Sequence, residues 1–259
     1  MRVAVHGFLS SAMLVALGIT LTPTANAQCP SGGAPAGCAP TGAIFNLATS
    51  DPGLISSTES LFTTSFVADN TSEYVSFAFR EQPNYWSFDD ASVVLNGTTT
   101  NLLADFNFAA ATDGQNCNDG GNGLGCPPGW GAWIQSVDTS AIGQIATQGN
   151  PYGCGSDVPT QGGGNFWCDG SVQGYDAIYQ QLTGLVVGDT YNVSWYLGHD
   201  DGGAPSGDPT DSINMLVYAG DSLPVGSIPI GTAPEPATLG LLGLGLVSFG
   251  LVARKRRKQ

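Results

Sequence analysis

Short runs in which every second side chain is apolar, each closed by Gly, Pro, Asn or Asp, constrain this chain more than any other feature. In Tyr74-Val75-Ser76-Phe77-Ala78-Phe79, Val75, Phe77 and Phe79 share one face. In the run from Tyr191 to Leu197, Tyr191, Val193, Trp195 and Leu197 do the same, and Gly188-Asp189 marks a tight turn before it. A period of two is that of a half-buried β-strand. It predicts strands over 61–68, 73–80, 87–95, 102–108, 132–137, 177–182, 190–197, 212–218 and 225–230. No long segment repeats with a helical period. The 37 Gly and 16 Pro among 259 residues also disfavour helix interiors. The expected fold is all-β, a single β-sandwich.

Charge is unevenly placed. Five of the seven basic residues fall between Arg254 and Lys258, a sixth is Arg2, and only Arg80 lies between. Residues 28–233 carry 20 acids against that one arginine, a formal charge of −19. A surface so poor in Lys and Arg has no means of neutralising phosphates, which excludes a nucleic-acid binder. It repels anionic polymers unless a cation bridges them, and it attracts Ca²⁺.

The two ends read as targeting segments. Arg2, the apolar run from Phe8 to Leu21 and the small-residue site Ala25-Asn26-Ala27 form a secretory signal, with cleavage expected after Ala27. Gln28 before Cys29 argues against a lipid-modified cysteine. At the other end, Pro234-Glu235-Pro236 precedes an apolar segment from Ala237 to Ala253, and the basic cluster follows. As a helix at about 1.5 Å per residue the segment would reach roughly 25 Å, near the ~30 Å of a hydrocarbon core. The basic cluster would stay cytoplasmic, with the body outside.

That ordered tail resembles the PEP-CTERM sorting signal of Gram-negative bacteria. The resemblance implies recognition of Pro234, Glu235 and Pro236 by an exosortase, a membrane cysteine protease that cuts near the motif. It implies transient anchoring in the inner membrane, then release to the cell surface or medium. It identifies a route and no activity.

Two stretches resemble the jelly-roll sandwiches of galactose-binding-like and carbohydrate-binding-module-like domains. One is Gln180-Gln181-Leu182-Thr183-Gly184-Leu185 through Gly188, Tyr191, Ser194 and Trp195. The other is Phe77-Ala78-Phe79-Arg80-Glu81 with Trp86-Ser87-Phe88-Asp89-Asp90-Ala91-Ser92-Val93. In the family the Asp-Asp element comes last, whereas here it precedes the Tyr191 strand. Residues 101–108 resemble a first strand. The resemblance therefore implies a circularly permuted jelly roll, or a partial unit placed first.

Cys29, Cys38, Cys117, Cys126, Cys154 and Cys168 all lie in the exported part, where disulfides persist. Sequence alone does not choose among their connectivities. Separations of 9, 9 and 14 favour the sequential pairs Cys29–Cys38, Cys117–Cys126 and Cys154–Cys168. A zinc site is disfavoured, since no C-x-x-C pair exists and His199 is the one histidine after the signal.

Candidate binding residues follow from chemistry. The loop after His199 carries Asp200, Asp201, Asp208 and Asp211 among Gly and Pro, a set of oxygen ligands on a backbone able to curl around calcium. Asp89-Asp90 and the loop from Asp113 to Asp119 offer more carboxylates. Trp130, Trp133 and Trp167, in Gly-rich surroundings, are candidates to stack on sugar rings. No G-x-S-x-G elbow is present and no glycosidase carboxylate pair stands out, so no catalytic residue is assigned. His199 is expected as a solvated loop residue, and Glu81 as part of a local charge network around Arg80.

The expected organisation is a signal peptide over 1–27, a Cys/Gly/Pro-rich segment over 28–41, the sandwich over 42–232 and the sorting signal over 233–259. The leading expectation is a non-enzymatic exported protein of the surface or extracellular matrix, with exosortase and exopolysaccharide as partners. A calcium-dependent lectin-like module and a secreted carbohydrate-active enzyme are the alternatives.

Overall fold

A computed structural model describes residues 39–50, 59–81, 85–117, 125–135, 143–147, 164–171, 174–199 and 213–230. These form eleven strands and one helical turn: β1 (Phe45–Asn46), α1 (Leu47–Ser50), β2 (Ser60–Val67), β3 (Ser72–Arg80), β4 (Trp86–Leu95), β5 (Gly131–Ile134), β6 (Gln144–Thr147), β7 (Asn165–Asp169), β8 (Asp176–Thr183), β9 (Thr190–His199), β10 (Asn214–Gly220) and β11 (Ile228–Ile230). Two antiparallel sheets face each other. The six-stranded sheet runs β1-β10-β3-β8-β5-β11 and the five-stranded sheet β2-β9-β4-β7-β6.

The pairings nest. β1 pairs with β10, β2 with β9, β3 with β8, and β4 with β7. One long hairpin rolled so that successive strands fall in opposite sheets has this pattern, which defines a jelly roll. The order is unpermuted, correcting the sequence expectation. The Asp-Asp strand β4 and the Tyr191 strand β9 are direct neighbours in one sheet, whichever comes first in the chain. β5 and β6 belong to an insertion at the tip of the hairpin, between β4 and β7.

Period two places the core. Phe62, Phe77, Phe88, Val93, Tyr191, Val193, Trp195, Met215 and Val217 fill the space between the sheets. Phe77 and Phe88 meet across it with ring centroids 4.7 Å apart, and Trp195 meets Phe45 edge-on at 5.0 Å. A second layer covers the outer face of the six-stranded sheet, where Ala78, Trp133, Tyr175, Leu216 and Tyr218 cluster. The Tyr218 hydroxyl donates to the Pro40 carbonyl at 2.8 Å and ties the 39–43 segment onto this layer.

Three of the predicted strands shift or shorten, and 102–108 is no strand. β7 pairs with β4 only over Trp86–Phe88. Beyond that, β4 bulges: Asp89 faces Tyr196, but the next partners are Ser92 and Ser194, with Asp90 at φ 48° between. The exposed edge is satisfied by a loop. Asn101 Oδ1 accepts from Val93 N–H at 2.9 Å, and Asn101 Nδ2 donates to the Ala91 carbonyl at 2.9 Å. Leu102 N–H donates to the Val93 carbonyl, and Ala91 N–H to the Phe106 carbonyl. Leu103 and Phe108 then plug the core, so apolar spacing there serves a wedge. β6 and β7 escape a period-two reading because β6 is short and β7 is buried on both faces: Trp167 joins the main core, while Phe166 and Cys168 join a satellite cluster with Ala146.

Cys117 and Cys126 are disulfide-bonded, as their spacing suggested. Cys168 is also disulfide-bonded, to a partner outside the described residues, where Cys29, Cys38 and Cys154 lie. Among the described residues no cysteine is free. Residues 1–27, read as a signal peptide, the loop 200–211 offered as calcium ligands, and the tail from 231 on also fall outside the described residues.

Asn101 does the work of a short strand with one side chain. Replacing it with Ala leaves the β4 edge groups without their partners. We expect Asn101→Ala to destabilise the domain by roughly 1–3 kcal/mol, read from the midpoint of urea unfolding.

Candidate functional site

Strand ends gather ionisable residues at one end of the sandwich. β3 runs out into Glu81, β4 begins at Trp86, β7 ends at Asp169, β8 begins at Asp176 and β9 ends at His199. In the five-stranded sheet Asp169, Trp86 and His199 form one cross-strand row on β7, β4 and β9. Across the interior stand Glu81 and Asp176, from the six-stranded sheet. All four ionisable side chains are at most 1% exposed.

Two polar ties bridge the sheets here. His199 Nε2 lies 2.7 Å from Glu81 Oε2, with the Trp86 indole edge-on to the imidazole at 4.9 Å. Trp86 Nε1 in turn donates to the Arg80 carbonyl at 3.1 Å. The second tie joins two carboxyls. Asp169 Oδ1 accepts from Ser171 N–H at 3.0 Å, and its Oδ2 accepts from Trp167 Nε1 at 3.1 Å. Asp176 Oδ2 accepts from Gly143 N–H at 3.1 Å. Asp176 stands beside Asp169, and the two buried carboxyls act on each other. Burial pushes Asp176 well above the ordinary carboxyl range, and the Asp169 charge and the bond to Asp169 raise it further. Burial also raises Asp169, to about 6, against the lowering effect of the bonds it accepts from Asp176, Ser171 and Trp167.

Gly143 is fitted to this pair. A Cβ there would stand 2.4 Å from the Trp167 indole and 2.6 Å from Asp169 Oδ2, so only glycine brings its N–H to Asp176. Alongside, Asn214 Nδ2 donates to the Tyr175 hydroxyl at 3.0 Å, and Asn214 Oδ1 accepts from Ala48 N–H at 3.1 Å.

A separate acidic group lies on the outer face of the five-stranded sheet. Asp89 is 2% exposed, and burial pushes its carboxyl up to about 8; the Asp90 N–H lowers it, while the charges of Asp90 and Glu59 add to the rise. Glu59 packs over Gly198, beside Ser87. Asp89 thus holds a proton near neutrality, which weakens it as a cation ligand. Among the described residues no group of three or more His, Cys, Asp or Glu is arranged to hold a metal ion.

The tryptophans do not form a sugar platform. Trp130 is 6% exposed, Trp133 0% and Trp167 1%. Their indole faces pack inside the protein: Trp130 and Trp167 flank Phe108, and Trp133 meets Tyr218. Gly-rich flanks here permit close packing, as at Gly143 and Gly131, and do not signal exposure. His199 likewise departs from expectation: it is a buried partner of Glu81 and no solvated loop residue. Glu81, expected in a charge network beside Arg80, has His199 as its partner at 2.7 Å. Asp200, Asp201, Asp208, Asp211 and Pro234, Glu235, Pro236 lie outside the described residues. Sequence reasoning missed Asp169 and Asp176. Their signal is an aspartate at each end of a short segment with two glycines, and strand register is needed to see that they meet.

Residues 232–257 match a family model described as the PEP-CTERM protein-sorting motif. The motif indicates an exported protein sorted by exosortase. No curated protein and no solved structure matches the chain. Among the described residues no helix is long and apolar enough to cross a membrane.

Two outcomes follow from the carboxyl pair. Both folded-state values lie above the ordinary value, so the folded protein holds more protons than the unfolded chain between about pH 4 and the raised values. The pair's contribution to stability is complete below about pH 4 and is lost as pH rises through about 6 and above. Asp176→Asn keeps a donor toward Asp169 and removes this titration. Thermal unfolding should show the variant matching the parent at pH 4 to 5 and exceeding it at pH 8. Gly143→Ala should lower stability at every pH by about 1–3 kcal/mol, as expected for overpacking, in the same scans.

Proposed function

We propose that this chain is a non-enzymatic protein of the cell surface or extracellular matrix, delivered by exosortase and associated with exopolysaccharide. The observation that carries the reading is the sorting motif at 232–257 behind a jelly-roll body. The body's strongest acid and base groups support the non-enzymatic part. His199 is bound to Glu81 and Asp169 to Asp176, and none is more than 1% exposed. A general acid or base must reach the proton it moves, and these groups reach each other.

The sugar contact is supported by an aromatic pair on the outer face of the six-stranded sheet. Tyr74 and Tyr179 are partly exposed, with ring centroids 5.6 Å apart. Tyr179 lies close over Gly131, where a Cβ would stand 2.6 Å from its ring. Gln181 Nε2 donates to the Ser72 hydroxyl at 3.1 Å beside them, so amide and hydroxyl groups border the rings. Rings edged by such groups suit pyranose faces.

Two measurements test the proposal. Replacing Glu235 with Ala should leave uncut precursor in the membrane fraction, whereas release of the variant at the parent rate overturns sorting through that motif. Purified protein should cosediment with the exopolysaccharide of its host without releasing reducing ends. Tyr74→Ala with Tyr179→Ala should weaken that binding about tenfold, equivalent to ~1.4 kcal/mol. Release of reducing ends by the parent protein would overturn the non-enzymatic reading.

A further inference from the structure

β2 closes one edge of the five-stranded sheet, and among the described residues no strand pairs with its outer side. Its eight residues, Ser60 to Val67, contain no charge and no proline, and pair with β9 without a bulge. Soluble β-proteins ordinarily protect such an edge with one of those devices. At its end Ala68 N–H donates to the Asp189 carbonyl and Gly188 N–H to the Ala68 carbonyl. In an antiparallel ladder, bonded and non-bonded pairs alternate. The even-numbered residues of β2 therefore bond to β9, and Leu61, Thr63, Ser65 and Val67 turn their N–H and C=O groups outward. The side chains of the same four residues are exposed. An open groove of about 390 Å³, lined by residues including Ile44, Ser50, Leu61 and Thr63, leaves room beside this edge.

We propose that this edge pairs antiparallel with β2 of a second copy, about a twofold axis through Thr64, joining two five-stranded sheets into one. The sequence of the strand is self-complementary in that register. Leu61 stands opposite the partner's Val67, and Thr63 opposite the partner's Ser65, on the outer face. Phe62 stands opposite the partner's Phe66 on the core face. All four outward-turned residues fall in bonded pairs, so each gains both backbone hydrogen bonds. Leu61 and Val67, each 55% exposed, cover one another at both ends of the pair. The body is strongly acidic, yet Ser60–Val67 itself carries no charge; the register sets Glu59 against the partner's Asp69 just beyond each end of the paired strands.

The test is sedimentation equilibrium of the full-length protein in mild non-ionic detergent, with circular dichroism and melting as controls. Parent protein should sediment at twice the monomer mass. Ser65→Pro removes one outward N–H and no bond to β9; it should sediment as a monomer with an unchanged spectrum. Leu61→Lys and Val67→Glu should each weaken the dimer at least about tenfold. Together they should restore it, because each end of the pair then sets an ammonium against a carboxylate. The two positions are six residues apart in one strand, about 20 Å, so rescue cannot arise within a single copy. A monomeric parent, a dimer indifferent to Ser65→Pro, or a double variant no tighter than the single ones overturns the proposal.

Discussion

Two carboxyl groups can share a dry interior only if one keeps its proton, and the end of this sandwich is organised around that requirement. Asp169 and Asp176 come from opposite sheets and meet where neither touches solvent. Their position demands donors from Trp167, Ser171 and Gly143, and the last demand leaves no room for a side chain at residue 143. Beside them Glu81 faces His199 at 2.7 Å, so that each buried polar group has a partner. The two ties join sheets that elsewhere meet mainly through apolar side chains. Removing one member would leave its partner uncompensated in a low-dielectric setting, a larger loss than any single apolar contact there.

How much of this was legible in the sequence depends on whether the signal was local. Alternation located β2, β3, β4, β8, β9 and β10 closely, because each has one face on the core and a neighbour on both or one side along its whole length. It failed at 102–108, where Leu103 and Phe108 point inward from a loop held by the Asn101 side chain. It failed at β7, whose two faces are both buried. The tryptophans misled for a related reason. Glycine beside Trp130 and Trp133 suggests an open loop, yet Gly131 is the flat ground on which Tyr179 rests. The permutation inferred from motif order dissolved because the strands pair in nested order along the chain. Asp169, Asp176 and His199 became a group only once the register was known.

The functional picture rests on two separable layers. The tail motif describes how the protein travels, and the sandwich describes what arrives. The described part of the body holds Glu81, His199, Asp169 and Asp176 inward, while its outer surfaces present hydroxyls, amides, a pair of tyrosines and the β2 edge. Such surfaces fit the adhesion and assembly proposed above.

The nested pairing also governs when this protein can become folded. β10 lies between β1 and β3, so the six-stranded sheet stays in two pieces until residues 214–220 are present. β9 similarly joins β2 to β4. Few of these contacts are local, and long-range pairings are slow to form because the intervening chain must first be brought together. A chain emerging in order from its first residue would hold its early strands without partners for most of its synthesis. Late closure of this kind keeps a polypeptide threadable through a translocation pore, and it defers the hazards of a compact core to the compartment where its disulfides form.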